Sequence, residues 1–258
     1  MNDRIFLISG RNFDGCYPHL THWYQLLDSL IMLLTITIKI FFHRMGQIYH
    51  VWNRGVDGRN IFLDDHDRLR FLDTLRFLNT VRHIAIKDLD RGNLLEIQSG
   101  ERLVAIFAYT LLGNHFHLSL KELRTGGMSK FIKKIGIGYT LYFNIRHERR
   151  GRLFERSMQW KTVSSDQYFQ HLIAYIHLNA LDAYDKDWRA GKMKSKEKFE
   201  ILSKYKWSSA KLYLGKDDDD LIDVENLRLH YPASCFKNHR KYLCGWSTRN
   251  LPEIESRE

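Results

Sequence analysis

The chain has 258 residues, 44% of them hydrophobic and 13% aromatic, which is enough apolar surface for a packed core and too much for a disordered tail. A formal charge of +10 favours a polyanionic partner, because clustered Lys and Arg gain affinity by releasing counterions condensed on nucleic acid. Cys16, Cys235 and Cys244 form neither a CxxC pair nor an even framework, which argues against a disulfide scaffold and a zinc knuckle and fits a reducing cytoplasm.

Residues 26–42, LLDSLIMLLTITIKIFF, raise the question of a membrane span, yet the run is marginal in length and Asp28 and Lys39 interrupt it. It ends in Phe-Phe-His-Arg, without the small-residue cleavage site of a secretory signal. No membrane partner is expected, and a cytoplasmic location is. The pattern changes at Met45, so residues 1–44 read as an upstream extension of the reading frame. Residues 45–182 read as the main domain, and residues 183–258 as a basic, aromatic C-terminal region partly packed on it.

Alternation over residues 47–53, with Ile48, His50 and Trp52 against Tyr49, Val51 and Asn53, predicts a strand, and Gly55 with Asp57-Gly58 a turn. Asp64-Asp65 offers an N-cap to a helix reaching about Val81, with Leu69, Leu72, Leu75 and Leu78 at helical spacing and Phe71 widening the face. Apolar pieces at 84–86 and 94–97 flank Arg91-Gly92-Asn93, and 104–112 is an apolar strand rich in β formers. Another strand follows at 115–120. Its alternation sends Phe116, Leu118 and Leu120 to one side and His115, His117 and Ser119 to the other, so the two imidazoles converge. Met128, Phe131, Ile132, Ile135, Tyr139, Tyr142 and Phe143 trace a helix despite Gly136 and Gly138. A further helix runs from Ser165-Asp166 through Leu178, with Tyr168, Leu172 and Ile176 on one face and His171, Tyr175 and Asn179 on another. Beyond it come a polar stretch, Trp207-Ser208-Ser209, and an acidic run at 217–220 read as a solvated loop.

Cutting a phosphodiester requires neutralisation of its non-bridging oxygens and a positioned nucleophile, which a divalent ion and a hydroxyl can share. His115 and His117 offer two ligands, although a His-x-His on a strand is weak by itself in a chain with 13 histidines. Tyr175 and Asn179, four apart on one helix face, would present a phenol and an amide oxygen together. Residues 121–161 hold 11 cationic side chains against three carboxylates, most of the chain's net charge. With Tyr139, Tyr142, Phe143 and Phe154 interleaved, they fit a groove that tracks a nucleic-acid backbone.

In order, the motifs are Tyr49-His50-Val51-Trp52-Asn53-Arg54-Gly55, Ile61-Phe62-Leu63-Asp64-Asp65 and Asn114-His115-Phe116-His117-Leu118. There follow Tyr142-Phe143-Asn144, Gly151-Arg152-Leu153-Phe154, Tyr175-Ile176-His177-Leu178-Asn179 and Trp207-Ser208-Ser209. Over residues 46–215 this series resembles the HUH single-tyrosine transposases of insertion sequences, especially the REP-associated tyrosine transposase branch. Gly113 and Ala180 depart from it, standing where members commonly carry proline.

The resemblance implies an α+β, ferredoxin-like antiparallel sheet with helices on one face, and residues 45–182 as a catalytic domain. It implies His115 and His117 as the HUH pair, Tyr175 as the nucleophile and Asn179 as a third ligand for Mg²⁺ or Mn²⁺. Single-stranded, hairpin DNA would be the partner of a monomer or homodimer, contacted by Arg54, Lys130, Lys133, Lys134, Arg146, Arg149, Arg150, Arg152 and Arg156. The expected reaction is nicking and joining in DNA transposition and recombination. The alternatives are a metallohydrolase that activates water, a domesticated or decayed hairpin DNA-binding protein without transposition activity, and an RNA-binding module.

Overall fold

The computed structural model describes residues 29–33, 46–82, 101–185, 187–190 and 193–245. The expected pieces at 84–86 and 94–97 lie outside these residues, as does most of the apolar run at 26–42. The chain divides into two compact units, residues 1–43 and 44–258. In the first, residues 29–33 are helical. Among the described residues, no helix is long and apolar enough to cross a membrane.

The second unit begins with strand β1 (Ile48–Arg54) and helix α1 (Asp65–Phe77), whose N-cap Asp64 accepts from the Asp67 amide at 3.0 Å. The helix ends short of Val81 because Asn79 turns to the next strand: its Oδ1 accepts from the Leu103 and Val104 amides at 3.0 Å and its Nδ2 donates to the Val104 carbonyl. The buried stripe is Phe71, Thr74, Leu75 and Leu78, and Leu69 faces solvent. Strands β2 (Val104–Leu111) and β3 (His115–Glu122) then form a hairpin, followed by helix α2 (Gly127–Arg146), strand β4 (Gln159–Thr162) and helix α3 (Asp166–Leu178). Ser165 caps α3 by accepting from the Tyr168 amide at 3.1 Å.

The sheet has the order β2-β3-β1-β4, and every neighbouring pair is antiparallel. The fold is therefore α+β. Strand β4 was not anticipated, having only four residues and Trp160 as its one strongly apolar side chain. Register places His50 opposite Ser119 and Trp52 opposite His117, so one face carries His50, Trp52, Arg54, His115, His117 and Ser119. The other carries Val51, Asn53, Phe116, Leu118 and Leu120. Phe116 packs 4.8 Å from Phe71 of α1, which lies 4.9 Å from Tyr139 of α2, so these helices cover that face.

The expectation of helices on one face holds for α1 and α2 but not for α3, which lies against the histidine face with Tyr175 5.5 Å from His117. The cause is the apolarity of α3 all round: Phe169, Leu172, Ile173, Ala174, Ile176 and Leu178 are buried, and such a helix needs cover on both sides. The outer cover comes from helices α4 (Ser195–Lys204), α5 (Ala210–Tyr213), α6 (Val224–Arg228) and α7 (Ala233–Gly245). Between α4 and α5, Trp207-Ser208-Ser209 runs along β2, accepting from the Leu111 amide at 2.9 Å and donating to the Tyr109 carbonyl at 3.1 Å. It shields what would otherwise be an open sheet edge.

Candidate metal and nucleic-acid site

His115 and His117 stand two residues apart on β3, their ring centroids 5.2 Å apart and perpendicular. Each is fixed through Nδ1. His115 Nδ1 donates to Asn114 Oδ1 at 2.7 Å, and His117 Nδ1 lies 3.0 Å from Nε2 of His50, a residue not anticipated for the site. Strand alternation put His50 on the same face, but its pairing with β3 is a matter of register that sequence does not display. Burial, then for His115 the neighbouring His117 and for His117 the Arg189 charge, lower both imidazoles to about 3. His50 is lowered by burial, then by His117 and Lys161.

A neutral imidazole whose Nδ1 is held by an acceptor presents the Nε2 lone pair, which is the form that binds divalent metals. His115 and His117 fit that role. Asn179 does not fit as arranged: its Oδ1 accepts from Arg189 Nη2 at 2.8 Å, and its Nδ2 donates to the Tyr175 carbonyl at 2.9 Å. Arg189 also donates to Asp182 at 2.6 Å. Among the described residues, no group of three or more His, Cys, Asp or Glu could hold a metal ion. Arg189 and Asp182 went unrecognised because Arg189 sits ten residues past Asn179 in a polar stretch without pattern.

Tyr175 of α3 presents its ring edge-on to His117 at 5.5 Å and to His50 at 5.9 Å and is only 2% exposed. Tyr139 and Tyr142 of α2 lie on the opposite side of the sheet, where Tyr139 donates to the Ile61 carbonyl at 2.6 Å and Tyr142 to Asp67 at 3.0 Å. His171 hydrogen-bonds Tyr242 of α7. Two cavities open beside the histidines. One of about 230 Å³ is bounded by Trp52, Arg54, His117, Arg156 and Gln159, and one of about 530 Å³ by Arg54, Asn60, Asn114, Asp182 and Arg189; His115 lines both.

The anticipated DNA contacts divide by use. Arg54 and Arg156 line the histidine cavity, and Lys133 and Arg152 line a groove beyond it. Arg150 is exposed. Lys130 donates to the Val81 carbonyl, Lys134 to the Thr80 and Arg82 carbonyls, and Arg149 to Asn144. Arg146 pairs with Asp64 at 2.7 Å and with buried Asp67. These four brace the fold around α2. Of the acidic run, Asp220 pairs with Arg76 at 2.7 Å.

On the far side of α3, His177 Nε2 lies 3.0 Å from Ser209 Oγ and His177 Nδ1 lies 2.9 Å from His239 Nε2. His239 Nδ1 lies 2.7 Å from the Tyr231 hydroxyl. This buried relay ties the Tyr175 helix to β2's flanking segment and to α7.

The architecture is an α+β fold with a four-stranded antiparallel sheet and a histidine-lined polar site at one end. No protein-family model and no curated protein matches the chain. Among solved structures, a REP-associated tyrosine transposase bound to a REP hairpin is similar, with 12% identity, a TM-score of 0.41, and coverage of 70% of this chain and 89% of that one.

Proposed function

We propose that the chain is a metal-dependent single-stranded DNA endonuclease and strand transferase, a tyrosine transposase of the HUH type on a ferredoxin-like sheet. The observation that carries it is the placement of the Tyr175 ring against His117, one of the two neutral imidazoles of the His-x-His pair, and against its partner His50, beside a cavity walled by Arg54 and Arg156.

In this reading His115 and His117 would hold Mg²⁺ or Mn²⁺, which would supply electrophilic polarisation of the scissile phosphate. Arg54 and Arg156 neutralise neighbouring phosphates. Tyr175 Oη attacks phosphorus with loss of its proton, the P–O3′ bond breaks, and the 3′ oxygen leaves as a hydroxyl. A 5′-phosphotyrosyl link remains until a second 3′ hydroxyl attacks and restores the phenol. Because Tyr175 is 2% exposed, its hydroxyl must be uncovered before a strand can reach it. The test is incubation of wild type and Tyr175→Phe with labelled hairpin DNA and Mn²⁺: adduct from wild type alone is expected, and equal adduct from both rules the assignment out.

The engagement of Asn179 by Arg189 and the burial of Tyr175 favour a second reading, a hairpin DNA-binding protein that does not cleave. It predicts hairpin affinity unaffected by EDTA and by His115→Ala, with no adduct under any metal.

A further inference from the structure

We propose a second nucleic-acid subsite, a groove that takes unstacked bases of a single DNA strand, between α2 and the segment from Arg152 to Trp160. The proposal rests on the DNA reading above for the identity of its ligand and adds where the strand runs on leaving the histidines.

The groove is a cavity of about 940 Å³ with apolar walls that include Ile132, Ile137, Leu141, Met158 and Trp160, and cationic Lys133, Arg152 and Arg156 border it. Trp160 is 49% exposed, Ile137 57% and Leu141 46%, and it is their clustering in one groove, rather than the exposure of any one of them, that marks a binding surface. Trp160 is braced, with Tyr49 edge-on at 5.6 Å, so its outer surface is held in place as a platform. Flat apolar surface bordered by cations suits a single strand, which offers an aromatic base and a phosphate with every nucleotide.

Continuity with the histidine cavity selects DNA over other occupants. Asn53 and Arg156 line both spaces. Asn53, 3% exposed, builds the shared wall by donating to the Arg156 carbonyl at 3.1 Å and to Met158 Sδ at 3.4 Å. Gln159 and Trp160 are consecutive in β4 and point to opposite faces; the first lines the histidine cavity and the second the groove. A strand leaving His115 and His117 thus passes Arg156, rounds the outer strand of the sheet and lays its bases on Trp160.

The experiment is fluorescence anisotropy with fluorescein-labelled oligothymidylate about 16 nucleotides long, using wild type, Trp160→Ala and Trp160→Phe of verified melting temperature. Loss of one stacked base predicts affinity about 5- to 150-fold weaker for Trp160→Ala, with Trp160→Phe close to wild type. A 4-thiothymidine in the oligonucleotide should photocross-link to wild type in the peptide containing Met158 and Trp160. Wild-type affinity in Trp160→Ala, or a cross-link confined to other peptides, overturns the groove. So does a wild-type dimer that Trp160→Ala dissolves with DNA affinity unchanged, since the occupant is then a second copy. If Tyr175 forms an adduct while Trp160→Ala binds normally, only the groove falls. If no adduct forms but Trp160→Ala weakens binding, the groove stands and the cleavage reading falls.

Discussion

Arg189 Nη2 donates to Asn179 Oδ1 at 2.8 Å, so a guanidinium occupies the amide oxygen that would complete a ligand set with His115 and His117. The same cation lowers the pKa of His117, after burial, and contributes to that of His115. Arg189 therefore opposes any further positive charge at the site. Arg189→Ala is expected to tighten Mn²⁺ binding by at least about tenfold, the effect of one unit charge about 6 Å from a divalent ion even at the dielectric of water. Electron paramagnetic resonance of unbound Mn²⁺ measures it, and unchanged or weaker binding would show that the arginine is not a competitor.

His50 should act through His117. Its Nε2 sits 3.0 Å from His117 Nδ1, and in the tautomer where it accepts from that nitrogen His117 Nε2 is left unprotonated. His50→Phe is expected to weaken Mn²⁺ affinity about 10- to 100-fold, the usual cost of losing such an outer partner. His50→Gln, which retains an acceptor, should recover most of it. Equal losses in both variants would mean that His50 only fills space.

Two arginines from the same basic stretch should separate cleanly. Arg146 is spent on Asp64 and on Asp67. Burial disfavours the charge of Asp67, but the Leu63 amide, His147, Arg146 and Tyr142 together hold its carboxyl below the usual range. Arg146→Gln should lower the melting temperature and leave DNA affinity nearly intact. Arg156→Gln should leave the melting temperature alone and reduce the slope of log affinity against log salt by about 1. The reverse pattern would relocate the DNA contact to the α1–α2 side.

Acid should destabilise the protein well before its carboxylates titrate. Burial, then His239, lowers His177, and burial lowers His239 to about 3, so both are neutral when folded. In the unfolded chain they take up protons below about pH 6.5. Their contribution is complete above that pH and is lost as pH falls from about 6.5 toward 3, at about 1.4 kcal/mol per pH unit for each histidine. Calorimetry at pH 7.5 and pH 5 should show a clear drop in melting temperature; a flat profile would contradict the neutral pair.

What the sequence makes legible is whatever is local. Ser165 announces its helix, and alternation alone puts His115 and His117 on one face. Register is not local, which is why the His50 contact and the short strand bearing Trp160 escaped notice. Helix α1 read too long because Asn79, an ordinary polar residue in sequence, is used as a strand partner by Leu103 and Val104. Charge was equally visible and equally ambiguous: nothing near Arg146 in sequence discloses that Asp64 and Asp67 claim it, while Arg156 opens to a cavity.

The relay through Ser209, His177, His239 and Tyr231 bears on how the molecule can be dissected. A chain stopped at residue 182 would strip α3 of its outer cover, leave His177 without Ser209 and His239, and return the Tyr109 amide, which donates to Ser209 Oγ at 3.0 Å, to an unshielded strand. Residues beyond 182 are thus less an accessory than the back wall of the room in which Tyr175 stands, and trimming them would unmake the helix that carries it.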